Sequence, residues 1–298
     1  MKELRISDGP IEVVVLPEIG ARLHRLRAFG HDLLRTPADP ATHAGDPFFW
    51  GAYVMAPWCN RIEAGPVQVG SHRFALGSNF PDGSAIHGQV YARPWDLLDD
   101  GTLHVRAGGD GWPWIYEVSQ RIEVVGGLVR IELALTNLAE SAMPAGLGIH
   151  PWFLRPLLVT IRGDSMYPSN LATAPWPEPV HGPFDLRRVG SMADDLDATW
   201  SDLAEPPVEL RWPDRNIRMV MRATAPTIYV VAASPGGLDA VAVEAQTHAP
   251  QGLRRMLDGE PGGLTMLESG RTLRLRVELA FDRLDPASGG PVSVVAAP

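Results

Sequence analysis

The sequence predicts an all-β protein that folds as one large antiparallel β-sandwich. Apolar and polar residues alternate with a period of two in several stretches, which is the pattern of half-buried strands. Helical periodicity is scarce, and 30 glycines and 28 prolines spread along the 298 residues indicate many turns. Many strands without intervening helices favour stacked antiparallel sheets. We see no interdomain linker, so we expect a single domain over residues 1–298 with a loose tail from about residue 285.

In the first half of the chain, "EVVVLP" and "TLHVRA" are predicted strands, and "VQVGSHRFAL" is a predicted hairpin that turns at Gly70-Ser71. The clearest pair is "WIYEVSQRIEVV" followed by "GLVRIELALTN", because the Gly126-Gly127 pair between them is typical of a two-residue hairpin. The predicted buried face of this pair comprises Tyr116, Val118, Ile122, Val124, Val129, Ile131, Leu133 and Leu135.

The second half begins with a segment, 163–215, that is rich in Pro, Gly and Asp and predicts long loops with short strands. Further strands are predicted in "IRMVMR", "TIYVVAA", "AVAVEAQ" and "TLRLRVELAF". Residues 251–258, "QGLRRMLD", predict one or two turns of helix. The last strand should bury Leu273, Leu275, Val277, Leu279 and Phe281.

The composition excludes several classes of protein. The net charge is −9 at pH 7 and the basic residues are dispersed, so we expect no nucleic-acid partner. The only cysteine, Cys59, cannot form an internal disulfide, and "MKELRISDGP" lacks the apolar run of a signal peptide. No apolar stretch approaches the roughly 18 residues of a membrane span. A cytoplasmic protein without a membrane partner, monomeric or homodimeric, is the expectation.

Two stretches in the first third of the chain carry unusual polar residues. In "APWCNRIEAG", Asn60-Arg61 follows an apolar and aromatic run, and the guanidinium fork of Arg61 suits hydroxyls or carboxylates. On local sequence alone, a surface arginine at a strand end is the favoured interpretation of this stretch. In "IHGQVYARPW", His87 precedes a glycine that lets the backbone bend near a ligand, but a structural histidine is the simpler interpretation.

Two later stretches give stronger signals. In "GIHPWF", Pro151 restrains His150 and aromatic rings flank it, which gives the imidazole the fixed direction that proton transfer needs. In "DAVAVEAQTHAP", a strand would place Glu244 and Gln246 on the same face as Ala240 and Ala242. A carboxylate in so apolar a strand is costly unless it is paired or used, and the small alanines leave room beside it.

The order of these four stretches resembles the aldose 1-epimerase (galactose mutarotase) family, whose members carry an Asn-Arg pair, a His-Gly, a His-Pro-aromatic-Phe and a late Glu-x-Gln. "PFDLR" and "LDATW" resemble two further family motifs, and the second assigns Asp197 to the family's substrate-binding aspartate. The resemblance covers about residues 10–282. This sequence departs from the family at Ala245, where a proline is common, and in "IHGQVYARPW", which lacks a His-Gly-Gly.

The resemblance implies the galactose mutarotase-like supersandwich fold and the interconversion of α- and β-anomers of a free monosaccharide, with no metal and no cofactor. Glu244 is then the base that takes the proton of the C1 hydroxyl. His150 is the acid that protonates the ring oxygen, and the two are expected on opposite sides of the sugar ring. The residues implied in substrate binding are Arg61, His87, Asp197, Asn60, Gln246 and Trp152, with Trp50 and Trp58 as further stacking candidates.

Four alternatives stay open at this point. A hexose-6-phosphate 1-epimerase would need a basic cluster, for which Arg93 and the Arg187-Arg188 pair are candidates. A glycoside hydrolase would use Glu244 and Asp197 as its two carboxylates and leave the histidines idle. A non-catalytic carbohydrate-binding protein would need no Glu–His pair. A metal site is disfavoured because the candidate ligands are far apart in the sequence.

Overall fold

A computed structural model describes residues 2–109, 111–171 and 173–284. The predicted C-terminal tail lies outside the described residues. In the first half of the chain the strands are β1 Leu4–Asp8, β2 Ile11–Leu16, β3 Arg22–Ala28, β4 His31–Asp32, β5 Ala52–Met55, β6 Arg61–Ile62, β7 Gly65–Val69, β8 His72–Leu76, β9 Ala85–Ile86, β10 Asp96–Leu97, β11 Leu103–Gly109, β12 Trp112–Val125, β13 Leu128–Asn137 and β14 Met143–Ala145.

The second half adds β15 Gly148–Leu154, β16 Leu158–Tyr167, β17 Glu178–Pro179, β18 Leu196–Trp212, β19 Ile217–Thr224, β20 Tyr229–Ser234, β21 Ala240–Gln246, β22 Thr265–Leu267 and β23 Thr272–Arg283. The helices are short: α1 is Thr42–Gly45 and α2 is Gly252–Asp258, and single 3-10 turns cover Gly182–Phe184 and Pro213–Arg215. The predicted helix in 251–258 is therefore confirmed. The predicted all-β, antiparallel class is also confirmed, because all the paired strands run antiparallel apart from one isolated parallel bridge in the part of the chain that is described.

The strands form two facing sheets that share β18. The first sheet runs β10–β11–β12–β13–β23–β19 and ends on the second half of β18. The second sheet runs β1–β2–β3–β5–β15–β21–β20 and ends on the first half of β18. Strand β16 pairs along both halves of β18, with a register shift between Ile161 and Gly163. Such irregularities bend strands, and here they let two strands pass from one sheet to the other.

The prediction of long loops with short strands holds for residues 168–195, where the described residues form no element other than β17 and one 3-10 turn, but it is wrong for the two ends of the segment 163–215. Strand β18 is 17 residues long and the longest described, and β16 reaches Tyr167. The prolines at 206 and 207 that suggested a loop lie within β18, between the part that pairs with β20 and the part that pairs with β19. A strand that changes sheets loses its regular alternation at the bend, so its sequence looks like a loop.

The main core fills the space between the two sheets. Ile131, Met221 and Val277 of the first sheet meet Leu23 and Ile149 of the second. The predicted faces of β12, β13 and β23 are buried as expected, and both predicted hairpins form, with turns between β7 and β8 and between β12 and β13. No helix among the described residues is long and apolar enough to cross a membrane.

The outer face of the second sheet is also buried, and this face carries the polar residues. Strand β21 is buried at all seven positions. Val241, Val243 and Ala245 belong to the main core, whereas Ala240 and Ala242 pack on the other side in a second, smaller cluster. The predicted division of this strand into two faces is therefore confirmed, and Glu244 lies on the outer face with the alanines.

Candidate active site

Strand register aligns a row of side chains across the outer face of the second sheet. Leu23 of β3 pairs with Ala52 of β5, which places Arg22 beside Tyr53, and Tyr53 pairs with His150 of β15. The β15–β21 register, in which Ile149 pairs with Ala245 and Trp152 with Ala242, places His150 beside Glu244. Because cross-strand partners share a face, Arg22, Tyr53, His150 and Glu244 form one row.

The neighbouring row of side chains explains why there is space above His150 and Glu244. It consists of Trp152, Ala242 and Ala233, followed by Asp197 on β18. The alanines have no side chain beyond Cβ, so the sheet surface between the indole of Trp152 and the carboxylate of Asp197 is low. A cavity of about 320 Å³ lies over this surface. It is lined by Phe48, Phe49, Tyr53, Asn60, Arg61, Phe80, Ile86, His87, His150, Trp152, Asn170, Asp195, Leu196, Asp197, Ala233, Pro235 and Glu244.

His150 and Glu244 are in direct contact at the floor of the cavity. Nε2 of His150 is 3.1 Å from Oε1 of Glu244, and the two side chains are only 6% and 2% exposed. The second carboxylate oxygen, Oε2, is buried and has no hydrogen-bond partner among the residues that the structure describes. The two groups are therefore neighbours on one surface. The expectation that they face each other across a sugar ring is wrong, because their strands are adjacent in the sheet.

Burial determines the charge of this pair. It raises the pKa of Glu244 well above its usual value, and the nearby charge of Asp197 adds to this effect. It lowers the pKa of His150 to about 3. Both directions disfavour charge, so the free protein holds a protonated Glu244 carboxyl beside a neutral imidazole, and one proton is available to pass between Glu244 and Nε2. Moving that proton along the 3.1 Å contact converts the neutral pair into an ion pair.

Three rings hold the imidazole of His150. The Tyr53 ring stacks on it, with centroids 4.7 Å apart and an angle of 20° between the planes. The rings of Trp152 and His87 approach it to 5.0 Å, the latter edge-on. Pro151 follows it in β15 and has no N–H to donate to either neighbouring strand. The predicted aromatic surroundings of His150 are confirmed.

His87 and Asn60 hold each other in an unusual backbone conformation. Both have positive φ, 60° for His87 and 54° for Asn60, a region that non-glycine residues seldom occupy. The backbone N–H of Asn60 donates to Nδ1 of His87, and the N–H of His87 donates to the carbonyl of Asn60. Burial, followed by the charges of His150 and Arg61, keeps the pKa of His87 well below its usual value. The neutral ring therefore carries its proton on Nε2.

Gly88 permits this arrangement. Its φ is 73°, and a Cβ at this position would lie 1.9 Å from the carbonyl oxygen of Ala56. A side chain is thus excluded by both conformation and space. The close approach at this glycine is that of the Ala56 backbone, and the predicted approach of a ligand stays a prediction.

A series of polar side chains, linked by hydrogen bonds and ion pairs, holds Asp197 and Arg61 at the side of the cavity. Nε of Arg61 donates to Asp82 at 2.7 Å, and its Nη1 lies 3.6 Å from Oδ2 of Asp197. The other oxygen of Asp197 accepts a short hydrogen bond from Nδ2 of Asn170. Oδ1 of Asn170 in turn accepts from the hydroxyl of Thr199 at 2.6 Å. These bonds fix the direction of the Asp197 carboxylate, whose pKa is raised by burial despite Arg61 and Asn170.

The remaining predicted residues are not in the described lining of the cavity. Gln246 accepts from Nδ2 of Asn60 at 3.1 Å and donates to the carbonyl of His248, so its amide supports Asn60 from behind. Trp58 packs against Trp112 in the main core. Trp50 lies under the guanidinium of Arg35, 3.5 Å from ring centroid to Cζ. Of the three predicted indoles, only Trp152 is in the described lining of the cavity.

Several lining residues have no sequence signal that singles them out. Asn170 and Asp195 come from the segment that the sequence analysis treated as loops. Phe48 and Phe49 stand in the aromatic run "PFFW", which could have been noticed as a pocket wall. Tyr53 lies in "AYVM", where every residue is buried, so alternation does not indicate which face carries the site.

Among the described residues, no three His, Cys, Asp or Glu side chains are grouped so that they could hold a metal ion. The basic candidates for a phosphate site also lie outside the described lining of the cavity. Arg187 pairs with Asp185 and Asp164 on the surface beside Arg188, and Nε of Arg93 donates to the carbonyl of Gln89.

The architecture defines the class of the protein. It is similar to an aldose epimerase homologue from C. elegans (TM-score 0.81, 15% identity, 95% of this chain and 99% of that chain covered). A galactose mutarotase-like protein from Clostridium acetobutylicum (0.80, 16%, 95% and 98%) and galactose 1-epimerase from Lactobacillus acidophilus (0.77, 18%, 95% and 95%) are similar too. The fold is therefore that of the galactose mutarotase-like supersandwich proteins, as the sequence predicted.

The sequence comparison identifies the family within this class of fold. The profile of the aldose 1-epimerase family matches residues 2–280, nearly the whole chain. The chain belongs to the aldose 1-epimerase family. Comparison with the curated protein sequences finds no significant match.

Proposed function

We propose that the protein is an isomerase that interconverts the α- and β-anomers of a free aldohexose by opening and closing the sugar ring. The observation that carries the proposal is the contact between Nε2 of His150 and Oε1 of Glu244 on the floor of the cavity. Family membership supports the same reaction class. An acid and a base in contact, both sheltered from water, are what ring opening requires.

The reaction moves protons at two oxygens that are both bonded to C1. Glu244 takes the proton of the C1 hydroxyl as the C1–O5 bond breaks and C1 becomes an aldehyde carbon. His150 gives its Nε2 proton to O5, so the pair ends as a carboxylic acid and a neutral imidazole. Rotation about C1–C2 presents the other face of the carbonyl, and the same transfers in reverse close the ring. The pair holds the same number of protons before and after.

Adjacency of the two groups suits this chemistry. The transferred protons leave and arrive at O1 and O5, which share one carbon, so donor and acceptor need not lie on opposite sides of the ring. In the ion-pair form His150 holds the proton and is the acid, and Glu244 is the base. Oε2 of Glu244 is buried and has no hydrogen-bond partner within the described structure. This oxygen can therefore accept the C1 hydroxyl proton while Oε1 keeps its contact with His150.

Other lining residues would hold the sugar. Arg61 and Asp197 are suited to ring hydroxyls as donor and acceptor, and the Nε2–H of His87 is a further donor. The indole of Trp152 offers an apolar face for the C–H side of a pyranose, which is a common use of aromatic rings in such sites. Asn60 and Gln246 would act by keeping His87 and the Asn60 backbone in place.

The charge of the cavity favours a free sugar over a sugar phosphate. In the described lining the cation is Arg61, and Asp82 and Asp197 already neutralise it. The carboxylates of Asp195 and Asp197 face the same space. A phosphate dianion would meet repulsion there and would lack a cation of its own. A cofactor has no part in this scheme, because no electrons are transferred.

Saturation-transfer NMR on α-D-glucose and α-D-galactose tests the proposal directly. We expect the purified protein to increase the rate of exchange between the anomeric protons well above the spontaneous rate. Sugar binding without faster exchange would instead identify a carbohydrate-binding protein. Release of the leaving group from aryl glycosides would identify a glycoside hydrolase that uses Glu244 and Asp197.

A further inference from the structure

Tyr53 is a buried residue of the site that the sequence analysis did not identify. It is 1% exposed and lies in β5, directly beside His150 in the strand register. Its ring stacks on the His150 imidazole, and the guanidinium of Arg22 lies over the same ring, 4.6 Å from its centroid. The phenol is therefore held between two neighbours and has little freedom to turn.

Arg22 is itself fixed, so the stack is rigid. This fully buried guanidinium donates to the carbonyls of Trp50 and Pro47, both at 2.6 Å. Those carbonyls belong to the segment that brings Phe48 and Phe49 to the cavity. The position of Tyr53 is consequently set by the same contacts that shape the cavity wall, which is the preorganisation that a binding group needs.

The hydroxyl of Tyr53 is the unusual feature. It is buried and has no hydrogen-bond partner within the described parts of the chain, although the residue lines the cavity. Tyrosine hydroxyls normally find a partner when they are buried, because an unmade hydrogen bond costs free energy. By contrast, the hydroxyl of the adjacent Tyr91 accepts a hydrogen bond from Nδ2 of Asn79 at 3.0 Å.

The protonation state of this hydroxyl is defined by its surroundings. Burial raises the pKa of Tyr53 well above its ordinary value, and deprotonation of Glu244 would raise it further. The phenol therefore keeps its proton throughout the range in which an enzyme works. It offers one O–H donor within the electrostatic reach of the catalytic carboxylate.

We propose that Tyr53 is a further substrate-binding residue, whose hydroxyl donates a hydrogen bond to a hydroxyl oxygen of the sugar bound over His150 and Glu244. This inference rests on the proposed function for the identity of the ligand. The stacked ring fixes the donor in advance, so the bond forms without ordering a mobile side chain. A free protein that keeps an unsatisfied hydroxyl for this purpose gives up stability for binding.

The test compares Tyr53→Phe with the matched control Tyr91→Phe. Both changes remove one hydroxyl and keep the ring, so the stacking on His150 is preserved in the first. We expect Tyr53→Phe to lower kcat/KM for the preferred aldohexose about fivefold to tenfold, the range for one neutral hydrogen bond. Tyr91→Phe should stay within about twofold of the wild type. Thermal melts of free Tyr53→Phe should show equal or higher stability, because an unsatisfied group has been removed.

Monodeoxy sugars identify the bond. For the wild type, removing one particular sugar hydroxyl should lower kcat/KM by the same factor as Tyr53→Phe does with the complete sugar. For Tyr53→Phe, kcat/KM should be the same with this monodeoxy analogue as with the complete sugar. Additive losses with every analogue would overturn the proposal, as would unchanged kinetics. A clear fall in the melting temperature of free Tyr53→Phe would also overturn it, since the hydroxyl would then have a partner inside the protein.

The two proposals can fail separately. Normal anomer exchange in Tyr53→Phe refutes the role of the hydroxyl and leaves the epimerase function intact. If the wild type binds a sugar but does not exchange its anomers, the epimerase function alone is refuted. Wild type and Tyr53→Phe are then compared by their Kd values, measured by tryptophan fluorescence titration. A wild type that neither exchanges nor binds any aldohexose refutes both.

Discussion

Nε2 of His150 lies 3.1 Å from Oε1 of Glu244, in a contact that joins two adjacent strands on the buried outer face of a β-sheet. The strand register produces this contact, and the alanines of β20 and β21 leave the space above it open. Burial on both sides removes the water that would separate the two groups. The result is a buried carboxyl–imidazole contact that faces a cavity.

Removing either member of the pair should abolish most of the activity. We expect Glu244→Gln and His150→Asn to lower kcat by at least about 10²-fold each, the low end for a positioned acid or base, which is about 2.7 kcal/mol. Both replacements are close in shape, so the fold should persist. Saturation-transfer NMR measures the exchange rate, with thermal melts alongside.

The chain contains a matched control for this experiment. Glu178 and His181 form a Glu–His contact of 3.3 Å, but both side chains are at least half exposed. Glu178→Gln and His181→Asn should leave exchange unchanged. Near-normal exchange in Glu244→Gln or His150→Asn would return that residue to a structural role.

Arg61 should contribute to binding more than to proton transfer. Arg61→Lys keeps the charge but loses the fork that contacts both Asp82 and Asp197. We expect KM to rise about tenfold with a smaller change in kcat. Arg121, which pairs with Glu123 on the surface, supplies the control Arg121→Lys. Steady-state kinetics by polarimetry separates the two parameters, and an unchanged KM would contradict the assignment.

Free sugars should be preferred over sugar phosphates. Because Asp195 and Asp197 face the cavity and Arg61 is already paired, we expect kcat/KM for glucose or galactose to exceed that for glucose 6-phosphate by at least about tenfold. NMR exchange measurements at equal concentrations make the comparison. A clear preference for the phosphate would place the protein with the hexose-6-phosphate 1-epimerases.

Metal removal should not affect the reaction, which consists of proton transfers alone. We expect the exchange rate after dialysis against a chelator to equal that of the untreated protein. Samples treated with buffer alone are the control. Activity that disappears on dialysis and returns when zinc is added would refute this prediction.

Stability should fall on mild acidification because of buried histidines other than His150. Burial lowers the pKa of His43 to about 3 and that of His248 to about 4. In the unfolded chain both rings titrate near pH 6.5. Between about pH 6.5 and 4.5 the unfolded state therefore binds protons that the folded state does not, so the free energy of unfolding falls as pH falls. Each ring contributes at most about 1.4 kcal/mol per pH unit.

The pair of His150 and Glu244 adds little to this slope. Over the same window the unfolded chain holds one proton on His150 and none on Glu244, and the folded pair also holds one. Urea unfolding at pH 6.5 and 5.5 measures the effect. His43→Gln and His248→Gln should each flatten the slope, whereas His181→Gln, at an exposed position, should not. Stability that stays constant or rises on acidification would contradict the prediction.

Local sequence patterns were sufficient for the class of fold and for individual faces. Period-two alternation predicted the buried faces of β12, β13 and β23 correctly, since all the apolar residues predicted to be buried there belong to one core. The alanines beside Glu244 marked an outer face that is not filled by side chains. The alternation pattern did not predict β18, because this strand bends from one sheet to the other and its prolines resemble those of a loop.

The sequence by itself determined which residues can do chemistry, and the tertiary structure decided which of them meet. Glu244 and His150 were recognisable from the cost of a buried carboxylate and from a restrained imidazole. Their contact depends on the adjacency of β15 and β21, and the row that adds Arg22 and Tyr53 depends on β3 and β5. Pairing between strands distant in the chain arises from the packing of the whole sheet. No local pattern of residues encodes it, because each strand carries only its own alternation and not the identity of its neighbour.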